Sequence, residues 1–133
     1  MPTREDLEKI DIDTIKEMLY VVFVKVENYH EAAYKLQLLY ELAVVFISKS
    51  RGEKYANDNV CRDIFGSSWT YVLRVSNSLR HNTYNKSMIE KDITNALEST
   101  VLYDIADFVG VSADACKMFI SSVKEQLIPW KFK

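Results

Sequence analysis

Apolar residues recur along this chain at intervals of three and four, the spacing that lays them on one side of an α-helix. HEAAYKLQLLYELAVVFISKSRG (30–52) is the strongest case. From Leu36 to Ile47 only Gln37 and Glu41 are strongly polar, and four residues apart they share one narrow strip. A helix so apolar must be wrapped, by neighbours or by a partner subunit. Basic residues and Gly52 mark its C-terminal end.

Upstream, Thr3 before Asp6 reads as an N-terminal cap, and Asp11 and Asp13 offer a second start a turn or two later. A helix from there to about Asn28 aligns Ile15, Met18, Leu19, Val22 and Val26. YVVFVKV (20–26) competes as a strand, because β-branched and aromatic residues dominate it. The absence of turn residues around it favours helix. Downstream, the polar connection EKYANDN (53–59) leads to a short helix through Cys61 and Ile64, closed by Gly66. SWTYVLRVSNSLRHN follows with Trp69, Val72, Leu73, Ser76 and Leu79 on its apolar face, and NTYNKS (82–87) breaks it. Ser87-Met88-Ile89-Glu90 has the form of a capping box. It opens a helix with Ile89, Ile93, Leu97, Val101 and Ile105 at i,i+4 spacing, which stops at Gly110. Ser112 caps a last helix, stopped by Pro129, after which Trp130 packs back on the core.

Only three glycines and two prolines occur among the 133 residues, too few for the tight turns of a sheet protein. The expectation is an all-α, single-domain bundle of four to six helices over residues 1–133. Cys61 and Cys116 lie far apart in apolar helices without a CxxC pattern, as buried thiols rather than a disulfide. The acidic start MPTREDLEKI does not read as a signal peptide. The longest apolar runs, LYVVFV and LAVVFI, are far short of a bilayer span. A soluble, cytoplasmic protein with no membrane partner is expected.

The net charge of −2 is unevenly spread. Residues 1–48 sum to −4, residues 49–91 to +4 and residues 92–133 to −2. The middle third is thus the candidate surface for a polyanion, and the acids Glu5, Asp6, Glu8, Asp11 and Asp13 are the candidate surface for a basic protein partner.

Most catalytic constellations are missing. Two histidines, His30 and His81, cannot build a histidine-rich metal site. Asp104 and Asp107 at i,i+3 read as a solvated face, so no metal is expected. Glycines at 52, 66 and 110 make no phosphate-cradling loop, and no nucleophile elbow is present. No cofactor is expected. What remains is RVSNSLRHNTYN (74–85). Seven helical positions bring Arg74 and His81 to nearly one face, with Ser78 between them and Asn77 beside them. Arginine forks onto phosphate oxygens and histidine moves a proton near neutral pH. Arg74 and His81 are the candidate catalytic pair, and Asn77, Arg80, Asn85 and Lys86 the candidate phosphate or RNA ligands. Helix capping and solvation by the same polar groups is the competing structural role.

Arg74-VSNSLR-His81, the pair Arg80-His81 and the following SMIEKDITNALEST (87–100) together resemble the HEPN superfamily. These are small helical bundles in prokaryotic toxin–antitoxin, CRISPR and phage-defence systems. The resemblance implies an up-and-down bundle, a dimer with two motif helices facing each other, and metal-independent RNA cleavage between them. Counted from Arg80, the histidine position of that pattern holds Asn85, and counted from Arg74 the next residue is Val75. Two functional readings follow. One is a non-enzymatic protein-interaction module in a defence, toxin–antitoxin or counter-defence setting; the other is a HEPN-like RNase or RNA-binding domain. The apolar helix, with Tyr34, Tyr40 and Phe46 as anchors, also suggests a homodimer.

Overall fold

The computed structural model describes residues 3–52, 58–80 and 86–131, with the backbone only for 58, 86 and 128–131. Eight helices follow one another along them: α1 (Arg4–Glu8), α2 (Ile12–Val22), α3 (Tyr29–Ser50), α4 (Asp58–Phe65), α5 (Trp69–Arg80), α6 (Lys86–Glu98), α7 (Val101–Val109) and α8 (Ala113–Lys131). No strand occurs among the described residues. None of the described helices is long and apolar enough to cross a membrane.

The helix starts follow local chemistry. Thr3 Oγ1 accepts the Asp6 N–H at 3.1 Å while Asp6 Oδ2 accepts the Thr3 N–H at 3.2 Å, a reciprocal capping box. These bonds hold the Asp6 carboxyl below the usual range. Asp11 caps α2 by accepting the Thr14 N–H at 2.8 Å, which likewise lowers its pKa. Asn28 caps α3 through the Glu31 N–H, also at 2.8 Å.

The helix expected to run to Asn28 ends six residues early, at Val22. Its stop comes from elsewhere in the chain. Lys35 Nζ donates to the Val24 carbonyl at 2.9 Å, taking up an orphan acceptor at the helix end. The Val26 N–H donates at 3.0 Å to the buried Ser122 hydroxyl, which in turn donates to the Phe119 carbonyl at 2.8 Å. Tertiary partners thus replace the helical ones, and 20–26 is neither a full helix nor a strand.

α3 is the central element and packs against α1, α2, α4, α5 and α8. Neighbours therefore bury the whole stretch from Leu39 to Ile47. Tyr40 and Phe46, expected as surface anchors for a second subunit, are inside; Tyr34 stays exposed. The rings of Tyr40 and Phe46 belong to an aromatic ladder that ties α3 to three other helices. Tyr40 stacks on Trp69 at 5.3 Å, Trp69 on Phe65 at 5.6 Å, and Phe108 meets both Phe65 and Phe46 edge-on at 5.6 and 5.7 Å. The buried side chains, from Leu7 in α1 to Leu127 in α8, join in one apolar cluster.

Three further boundaries differ from the pattern. The continuous i,i+4 row from Ile89 to Ile105 is split between α6 and α7. Ser99 Oγ donates to the Ala96 carbonyl at 2.8 Å and accepts the Val101 N–H at 3.3 Å, competing with the helical ladder. α6 begins at Lys86, so Ser87 lies in the first turn instead of at the cap. α8 continues through Pro129, whose missing N–H removes one bond near the helix end. The split at Ser99 and the short α1 account for eight helices where four to six were expected. The packing of Trp130 lies outside the described residues.

Gly66 and Gly110 do close α4 and α7 as expected. Cys61 and Cys116 are both buried thiols, and burial pushes the Cys116 pKa up to about 12, so it stays protonated and unreactive.

Candidate binding groove between two helices

The polar stretch of α5 does not act as one surface. Arg74 and Arg80 are six positions apart, which on a helix turns them about 120° from each other. The fold uses that angle to give each arginine a different carboxylate.

Arg80 turns inward to α3. Its Nη2 ion-pairs with Oε1 of Glu41, and Arg4 from α1 reaches the other oxygen, Oε2, through Nε at 2.6 Å. Glu41 retains only 2% of its surface and sits in the most apolar part of the chain. Both guanidinium carbons also lie over the Tyr40 ring, 5.8 Å away for Arg4 and 5.9 Å for Arg80. Two cations on one buried carboxylate satisfy it and clamp α1 and α5 to α3. Arg80, a candidate phosphate ligand in the sequence, is paired here with Glu41, because a bare carboxylate in that core demands a cation. The narrow strip of Gln37 and Glu41 carried the signal, but its meaning required knowing what lay opposite.

Arg74 turns the other way, toward α6. It is 60% exposed along its side chain, and Nη1 stands 3.9 Å from Asp92 Oδ1. Arg74 lies six residues before the end of α5 and Asp92 six after the start of α6, the register of an antiparallel helical hairpin. Between the two helices runs a groove of about 700 Å³. α5 contributes Arg74, Asn77 and Ser78, and α6 contributes Met88, Lys91, Asp92 and Asn95. These positions follow i,i+3,i+4 spacing on each helix, so two polar faces meet along one line.

Asp92 is the unusual member. Its residue exposure is 8%, yet no hydrogen bond from a described residue reaches its carboxylate. Burial pushes its pKa above the usual range, and the charges of Arg74 and Lys91 draw it partly back. Sequence reasoning passed over Asp92, although its seven-residue distance from Asn85 and the i,i+3 spacing to Asn95 are visible in the chain.

No family model, curated protein or solved structure matches this chain.

Of the other expected site residues, Asn77 shares the groove with Arg74. His81, Asn85 and the Lys86 side chain lie outside the described residues. Glu5, Asp6, Glu8, Asp11 and Asp13 are all exposed. Asp6 and Asp11 are engaged in helix caps, while Glu5, Glu8 and Asp13 make no ion pair with the described residues. A second hollow, of about 630 Å³, lies where α4, the α4–α5 turn and α7 meet. Asp63, Asp104 and Asp107 line it, and all three face solvent. Among the described residues no three His, Cys, Asp or Glu side chains gather as metal ligands.

Proposed function

We propose that this chain is a non-enzymatic protein-interaction module that presents its acidic N-terminal helices to a basic partner in a defence, toxin–antitoxin or counter-defence setting. The observation that carries the reading is the pairing of the polar helix. Arg80 is bound by Glu41 and Arg74 stands beside Asp92, so each arginine of α5 already faces a carboxylate of this chain. Glu5, Glu8 and Asp13 remain exposed and without ion-pair partners among the described residues. Unpaired carboxylates on one segment steer a cationic surface toward it and set register on arrival.

The test is affinity capture from the native host with the wild-type chain and with the Glu5→Gln/Glu8→Gln/Asp13→Asn variant. A basic protein held by the wild type, released by salt and lost by the variant is the expected result. A chain that purifies alone, retains no partner and cleaves RNA overturns it.

The second reading keeps the HEPN likeness, with a metal-independent RNase or RNA-binding domain acting through Arg74 and His81. The convergence of Arg74, Asn77, Ser78 and Lys91 along one groove favours it. On this reading RNA binding weakens with rising salt and falls in Arg74→Ala, and cleavage is lost in His81→Ala with the fold intact. A homodimer that brings two α5 helices together belongs to the same reading, and light scattering over a concentration series checks it.

A further inference from the structure

We infer that the groove between α5 and α6 is a binding site for a guanine base carrying a phosphate, read by Asp92 and Arg74. The inference stands apart from the acidic-face reading and needs neither a protein partner nor cleavage.

Three observations lead to it. First, the groove's charged groups are Arg74, Lys91 and Asp92, a net positive balance that favours an anionic ligand. Second, the buried carboxylate among them has no hydrogen-bond donor from the described residues, and Arg74 stops at 3.9 Å, beyond hydrogen-bond length. A group so placed calls for N–H donors from outside, although the ligand as a whole must be negative. Third, an arginine cation stands directly beside that acceptor, and two amides, Asn77 and Asn95, extend the polar wall.

A guanine nucleotide satisfies these demands together. Its Watson–Crick edge presents two adjacent N–H donors, from N1 and N2, followed by the O6 acceptor. The two donors match the two oxygens of Asp92, and O6 then falls to the Arg74 guanidinium. The phosphate supplies the negative charge that Lys91 and Arg74 attract. Met88 gives apolar surface to the base face, being 60% exposed at the groove. Adenine fails the same edge, because its N1 is an acceptor and would meet the carboxylate directly. Cytosine fails through N3 for the same reason.

The base can come as a free nucleotide or within a strand, and the experiment separates the two. Isothermal titration calorimetry is run with guanosine monophosphate, adenosine monophosphate, and short single-stranded RNAs made of uracil with either one guanine or one adenine. The guanine-bearing ligand of at least one pair is expected to bind about tenfold or more tightly than its adenine counterpart. Preference in the mononucleotides assigns a free nucleotide; preference in the strands alone assigns a base within RNA. Asp92→Asn keeps the size of the side chain but replaces one acceptor by a donor, so the preference is expected to collapse. Arg74→Ala is expected to weaken both members of a pair. Should Asp92→Asn fail to fold, amide shifts of the wild-type chain decide, with changes expected at residues 74–78 and 88–95. Equal affinities for guanine and adenine ligands, a preference unchanged in Asp92→Asn, or no binding at millimolar ligand each overturn the inference.

Discussion

Arg80 at the end of α5 and Arg4 in α1 share the two carboxylate oxygens of Glu41, each taking one. The arrangement makes the arginines partly redundant. Removing either leaves Glu41 one cation, so Arg4→Ala and Arg80→Ala are each expected to cost about 1 kcal/mol or less, since both side chains are partly exposed. Removing both strands a buried charge, at a cost on the order of 3–5 kcal/mol. Glu41→Met, which fills the space without a charge, is expected to lie near neutral. Chemical denaturation of the four variants measures the coupling, and additive single effects would contradict the shared clamp.

Asp92 is expected to make stability depend on pH in an unusual sense. Its folded-state pKa is raised by burial, so the folded chain holds the proton more tightly than the unfolded chain. The favourable contribution is fully present below the unfolded value near 3.8 and is lost as pH rises through the folded value. At neutral pH the buried charge therefore opposes folding. Asp92→Asn is expected to match or exceed the wild type in thermal midpoint at pH 7, with the gap closing in acid. Arg74 loses little, because it is largely in water. A variant clearly less stable at pH 7 would show that the ion pair outweighs the burial.

Ser76 lies on the buried side of α5, and its hydroxyl has no hydrogen-bond partner among the described residues. A buried hydroxyl in that state opposes folding. Ser76→Ala removes the group and improves helix propensity, so a gain of about 1 kcal/mol is expected in the denaturation midpoint, with the slope unchanged.

Gly110 ends α7 with φ at +86°, in the left-handed region that L-residues avoid. A methyl group there would also meet the Tyr20 hydroxyl at 3.2 Å. Gly110→Ala is expected to cost about 1–2 kcal/mol from the backbone alone. Tyr20→Phe in the same background relieves only the crowding. The size of that partial recovery separates the two causes in a thermal melt.

Much of the fold could be read along the chain because its signals act within a turn or two. Thr3 with Asp6, Asp11 with Thr14 and Gly110 behave as their residue types require, since cap bonds join neighbours in sequence. Periodicity likewise placed α3, α4 and α5 within about two residues of their observed bounds, and marked α3 as the element to be wrapped. The boundaries that moved are those set by distant atoms. Ser122 meets Val26 across 96 residues and ends the regular structure after α2. The candidate site shows the same division. Arg74 and Asn77 are legible as a helical face, but the pairing of Arg80 with Glu41 is not, because that partner comes from another helix.

The amino-acid sequence by itself determined that this chain is helical, where several of its caps fall, and which helix lies innermost, because propensity, capping and apolar spacing are short-range properties. Only the tertiary structure decided which carboxylate each arginine meets, that Tyr40 and Phe46 face inward, and that Asp92 closes a groove with Arg74. Those outcomes depend on how helices pack around α3, and packing brings together side chains that no local pattern connects.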